Sequence, residues 1–115
     1  MDTKAVFEHH TAALGSGDLE ELLKDYTDAS VLLTAPRTYK GRGELREFFE
    51  AAATGLFKPG TYTFTPDVVR IEGEVAFFTW HASCVGAEIV LGTDTFIVRD
   101  GKITAQTFAA KIEPR

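Results

Sequence analysis

At 115 residues the chain has room for one ordinary domain spanning 1–115, and its 44% hydrophobic and 25% charged residues exclude a disordered or fibrous chain. The formal net charge of −5 has no basic run beneath it. Lys40, Arg42, Arg46, Lys58, Arg70 and Arg99 are scattered, which argues against a nucleic-acid partner. No apolar stretch approaches the ~20 residues that span a bilayer, so no membrane partner and a cytoplasmic location are expected. The lone Cys84 excludes an internal disulfide and suits a reducing compartment. Nine Phe exceed what strand propensity asks for and supply bulk for a core or a cavity wall.

In chain order, Asp2 or Thr3 can cap a first helix, on which Val6, Phe7, His10, Ala13 and Leu14 recur at three- and four-residue spacing. His9 lies about 100° around that helix from His10, so only one of the two imidazoles can face the core. Gly15-Ser16-Gly17 stops the helix, and Asp18 with Glu21 resembles a capping box opening a second one, whose buried face is Leu19, Leu22, Leu23 and Tyr26. Ser30 to Ala35 reads as a strand ended by Pro36, and Arg37 to Arg42 as a polar loop. A third helix from Gly43 places Leu45, Phe48, Phe49 and Ala52 on one side and ends near Gly55. Thr61–Thr65, Asp67–Glu72, Val75–Val85, Ala87–Arg99 and Lys102–Ile112 are β-rich, divided by Pro66, Gly73, Gly86 and the hairpin signal Asp100-Gly101. Helices first and strands after predict an α+β layer, three helices on a curved, mainly antiparallel sheet enclosing an apolar pocket.

Four segments then carry a resemblance: Thr11-Ala-Ala-Leu-Gly-Ser-Gly-Asp18-Leu, Tyr26-Thr-Asp-Ala-Ser-Val, Lys40-Gly-Arg-Gly-Glu-Leu-Arg-Glu-Phe-Phe49 and Gly92-Thr-Asp-Thr-Phe-Ile-Val-Arg-Asp-Gly-Lys-Ile103. In this order they resemble the nuclear-transport-factor-2-like superfamily, within it the SnoaL-like and ketosteroid-isomerase-like branch. The resemblance implies a cone, with the sheet wrapped around a long third helix and a cavity at its open end. It implies no single activity, because isomerases, dehydratases, cyclases and non-catalytic binders share the architecture.

Carried over residue by residue, the protonated Asp of the isomerase oxyanion pair falls on Asp94, the oxyanion Tyr on His10, its supporting Tyr on Tyr26 and a third Tyr on Phe49. The general base falls at Leu33 or Thr34, where no carboxylate stands, so the resemblance does not extend to steroid isomerisation. The SnoaL-like cyclases match better, since their chemistry leans on one acidic residue in the sheet.

Strand alternation by itself puts Val90, Gly92, Asp94, Phe96 and Val98 on one face. A carboxyl among such neighbours is poorly hydrated, which raises its pKa and poises it as an acid or acid/base; the alternative is a wet Asp94 at a frayed strand start. His10 belongs to the buried stripe of the first helix, with Tyr26 as its expected partner. On the strand Val75–Val85, Phe78, Trp80, Ala82 and Cys84 form an apolar face, and Phe77, Thr79, His81 and Ser83 a mixed one. The family register turns the mixed face inward, which adds His81 to the site and leaves Trp80 on a convex surface that pairs two subunits. The opposite register places Trp80 in the pocket. In the last strand Gln106, Phe108 and Ala110 are expected inside. His9, His10, His81 and Cys84 make no metal-ligand set, and no phosphate loop, nucleophile elbow or dinucleotide fingerprint is present, so no metal or cofactor is implied.

These residues define the expected site: Asp94, His10, Tyr26 and His81 for chemistry, and Phe49, Thr34, Gln106, Phe108, Phe96 and Val90 against the ligand. The expected functions are a cofactor-independent isomerase, cyclase or hydratase acting on a small apolar molecule, a carrier using the same cavity, or an association module.

Overall fold

Asp2 caps the first helix, α1 (Thr3–Ser16), its carboxylate accepting from the Ala5 amide at 2.8 Å, as the sequence signal requires. Asp18 caps α2 (Leu19–Leu23) in the same way through the Glu21 amide. The second helix is shorter than its apolar pattern predicts. Tyr26 opens the strand β1 (Tyr26–Leu33) instead of closing α2, and remains fully buried. The expected polar loop holds a short strand, β2 (Thr38–Lys40), which runs directly into α3 (Gly41–Thr54).

Four long strands follow in the computed structural model, which describes residues 1–115: β3 (Thr63–Glu72), β4 (Val75–Cys84), β5 (Ala87–Arg99) and β6 (Lys102–Pro114). Together with β1 and β2 they form one curved, unclosed mixed sheet in the order β2-β1-β6-β5-β4-β3, antiparallel except where β1 pairs β6. Pro66 does not divide two strands. It is tolerated inside β3 because β3 is an edge, and the register slips beside it between Pro66 and Val68. Asp100 and Gly101, at φ of 53° and 75°, make the tight turn between β5 and β6 that Asp-Gly predicts.

Side chains from the concave face of the sheet meet α1 and α3 in one apolar cluster that includes Val6, Phe7, Leu22, Tyr26, Leu45, Phe49, Phe78, Trp80, Phe96 and Ile103. Edge-to-face contacts join its layers: Phe7 meets Phe78 at 5.1 Å and Phe96 at 5.6 Å between ring centroids. Such pairs favour one fixed arrangement of α1 on the sheet over a sliding one.

Two bulges decide which residues share the inner face. On β5 the pairing slips between Ile89 and Leu91, so Ile89 and then Gly92, Asp94, Phe96 and Val98 point inward. Val90, expected among them, is turned out and 48% exposed. On β6 the slip opposite Ile97 and Val98 lets both Ile103 and Gln106 be buried although they differ in parity.

Candidate functional site

Between α1, α3 and the concave sheet lies a cavity of about 140 Å³. Its wall is mainly aromatic, with rings from Phe48 and Phe49 on α3, Phe64 on β3, Phe78 and Trp80 on β4, Phe96 on β5 and Phe108 on β6. The polar groups that reach it include His10, Asp94 and Gln106.

Asp94 is 8% exposed and held at both oxygens: Trp80 donates its indole N–H to Oδ1 at 2.9 Å, and Gln106 donates from Nε2 to Oδ2 at 2.9 Å. Burial pushes its pKa up to about 6 against the pull of these two donors. The Gln106 carbonyl accepts from the Tyr26 hydroxyl at 2.5 Å, and that hydroxyl lies 3.3 Å from His10 Nδ1. One continuous chain therefore runs Trp80–Asp94–Gln106–Tyr26–His10, across β4, β5, β6, β1 and α1. Burial, with a smaller contribution from neighbouring His9, holds the His10 pKa down to about 3, so its imidazole is neutral near pH 7. Burial also holds the Tyr26 hydroxyl well above the usual phenol range, which keeps its proton in place.

Of the residues anticipated from sequence, Asp94, His10, Tyr26, Gln106, Phe49, Phe96 and Phe108 come together here. His81 does not. Its side chain is exposed on the opposite sheet face, 2.8 Å from Asp67. The apolar face of β4 turns inward instead, so Trp80 lines the cavity and Phe78, Trp80 and Cys84 are buried rather than displayed on a convex surface. Burying indole and phenyl rings in place of an imidazole and hydroxyls is the favourable choice for a strand with one wholly apolar face. Thr34 also lies outside the cavity, bonding the Arg37 carbonyl just past the end of β1. Val90 is carried outward by the bulge.

Sequence reasoning missed Trp80 as the partner of Asp94, and missed Phe57, Tyr62 and Phe64, which complete the mouth and wall. Gly92 was the available signal. It pairs directly with Trp80, and a Cβ there would overlap the indole, so only glycine leaves the ring room to lie across β5. Asp25 was missed as well. It is buried next to Tyr26 and holds His9 Nδ1 at 2.7 Å, while Glu21 holds His9 Nε2 at 2.8 Å.

Helices packed on a curved, unclosed mixed sheet define the class, and solved structures share this fold. A candidate polyketide cyclase from Sinorhizobium meliloti superposes with a TM-score of 0.78 at 18% identity, covering 91% of this chain and 94% of its own. A candidate ketosteroid isomerase from Kribbella flavida gives 0.80 at 16% identity, over 98% of this chain and 80% of its own. A nuclear-transport-factor-2-like protein of unknown function from Cytophaga hutchinsonii gives 0.78 at 12% identity, over 96% and 91%. At these identities the likeness is one of fold. The family of SnoaL-like domains matches residues 7–106, and the chain belongs to it. No curated protein matches the sequence.

Proposed function

We propose that the cavity binds a small apolar organic molecule and that Asp94 acts on it as an acid or acid/base, in cofactor-independent chemistry of the isomerase, cyclase or hydratase kind. The observation that carries this reading is a buried carboxyl, held by Trp80 and Gln106 among aromatic rings, where burial pushes its pKa up to about 6. Near neutrality such a group passes between acid and carboxylate, which suits proton transfer to and from a substrate. His10, Tyr26 and Gln106, linked to Asp94 by hydrogen bonds, orient the substrate. A cavity of about 140 Å³ is comparable to the roughly 150 Å³ site that admits benzene in another protein, so the buried part of the ligand is about one ring in size. Small-molecule binding is in keeping with membership of the SnoaL-like family.

The second reading is a carrier that uses the cavity without chemistry. It is favoured by the absence of a carboxylate at Leu33 and Thr34, and by the engagement of both Asp94 oxygens with protein donors. Mass spectrometry of small molecules released on denaturing the purified protein identifies the ligand. Assay of that ligand with the wild type and Asp94→Asn then separates the readings: turnover lost with binding retained supports the enzyme, and wild-type protein that returns the ligand unchanged supports the carrier.

Assembly and location belong to this same proposal. No helix is long and apolar enough to cross a membrane, and a cytoplasmic location accords with the lone reduced Cys84. Homodimerisation through the outer sheet face would use Val75 and Phe77, not the buried strip of Phe78, Trp80 and Cys84 on which the sequence expectation rested.

A further inference from the structure

The proton directions in the buried chain follow from its members. Trp80 N–H can only donate, so Asp94 Oδ1 is an acceptor, and with Asp94 ionised its Oδ2 is an acceptor as well. Gln106 spends its amide N–H on Asp94 Oδ2 and its carbonyl on Tyr26, whose single hydroxyl proton is therefore directed to Gln106. With that proton committed, the Tyr26 oxygen facing His10 can only accept, and His10 must carry its proton on Nδ1. Its Nε2 makes no hydrogen bond within the protein, although no occluded side-chain nitrogen or oxygen is left unpaired, and His10 lines the cavity.

We infer that His10 presents the bare Nε2 lone pair to the cavity as a hydrogen-bond acceptor, and that the preferred ligand is a ring-sized aromatic or enolic molecule bearing an O–H donor. This rests on the proposed small-molecule pocket and adds to it the ligand's polarity. A ligand carrying only an acceptor, such as an aryl ether, meets a lone pair at His10 and is disfavoured there. The aromatic wall accepts the ring of either, so discrimination comes from one hydrogen bond.

The same logic says what reverses the chain. In Asp94→Asn, donation from Trp80 fixes the new amide with its carbonyl toward the indole and its NH₂ toward Gln106. The Gln106 amide must then turn its carbonyl to Asn and its N–H to Tyr26, Tyr26 donates to His10 Nδ1, and the His10 proton moves to Nε2. No bond other than hydrogen bonds and N–H is exchanged, and the imidazole stays neutral throughout.

Two measurements test the inference. Long-range ¹H–¹⁵N NMR of the ligand-free protein at pH 7.5 should show His10 protonated on Nδ1 in the wild type and on Nε2 in Asp94→Asn. An Nε2–H tautomer in the wild type overturns the inference. Calorimetry with toluene, phenol and anisole should show phenol preferred over both by roughly fivefold to tenfold, the worth of one net hydrogen bond. His10→Phe, which keeps the ring contacts with Phe49 and Phe96, should retain toluene binding and lose the phenol preference. A preference that survives in His10→Phe places the donor elsewhere and overturns the inference. If none of the three probes binds, the apolar-pocket reading fails, and the tautomer measurement, which needs no ligand, still decides the polarity of the chain.

Discussion

Trp80 lies across Gly92, its direct partner between β4 and β5, and from there its indole reaches Asp94 at 2.9 Å. A backbone position without a side chain thus sets the hydrogen bonding of a carboxyl two residues further along the same strand. Gly92→Ala should push the indole aside, remove its bond to Asp94 and strain its ring contacts with Phe64 and Phe108. Overpacking of this kind costs about 1–3 kcal/mol. Thermal unfolding should report the loss, and the emission of the single tryptophan should shift with it; an unchanged midpoint and spectrum would sink the account.

Asp94 gives stability a pH dependence of definite sign. Its folded pKa, about 6, stands above the unfolded value of 3.8, so the native state holds the proton more tightly. The associated stability is fully present below the unfolded pKa and is lost as pH climbs through about 6, an effect on the order of 3 kcal/mol. Asp94→Asn should fold and flatten that part of the pH–stability curve. Denaturant midpoints collected between about pH 4 and pH 7 check it, and the Trp80 fluorescence of the wild type should titrate over the same window.

His9 supplies a second dependence at a separate place. Its imidazole sits between Asp25 and Glu21, a geometry in which both ring nitrogens donate, and hydrogen bonds to these two carboxylates raise its pKa. Lys24 and Lys102 lie nearby, Lys24 on Glu21 and Lys102 on the Lys24 carbonyl. The contribution of His9 is complete below its unfolded value of 6.5 and disappears as pH rises through the raised folded value. Burial also raises Asp25, outweighing the opposing pull of His9, so its own contribution falls with rising pH in the same sense. His9→Gln should therefore destabilise the protein at pH 6 and make little difference at pH 9. Equal effects at the two pH values would show that the charge on His9 is not what holds α1 to the start of β1.

His81→Ala is expected to change stability by less than about 0.5 kcal/mol, because the pair it makes with Asp67 is solvent-exposed. Ligand affinity should not change. A large loss of binding on this substitution would return His81 to the site and contradict the observed facing of β4.

If two copies pair through the outer sheet face, Phe77, 41% exposed there, is at the contact. Phe77→Glu should then yield monomers by light scattering at micromolar concentration with ligand binding intact, whereas the buried Trp80→Glu should disrupt the fold itself. A wild-type protein that is already monomeric removes this part of the proposal.

Much of the molecule was legible in its residues. The caps at Asp2 and Asp18, the apolar stripe carrying His10, the Asp100-Gly101 turn and the helices-then-strands order all follow from local chemistry, which acts over a few residues and needs no knowledge of distant partners. The inward facing of Asp94, Phe96, Gln106 and Phe108 was equally accessible, since alternation persists along a regular strand. Alternation fails at a bulge, and nothing local marks Val90 as the residue where β5 slips against both neighbours. On β4 the residues offered the right answer through their wholly apolar face, and the register taken from the family resemblance opposed it; hydrophobic burial decided in favour of Trp80. The long-range partnerships needed the tertiary structure altogether. Tyr26 bonds Gln106 eighty positions away, and Trp80 reaches Asp94 only because Gly92 leaves space beneath the ring. Local sequence sets the propensity and parity of each element, whereas which polar groups meet inside is set by how the curved sheet closes over α1 and α3.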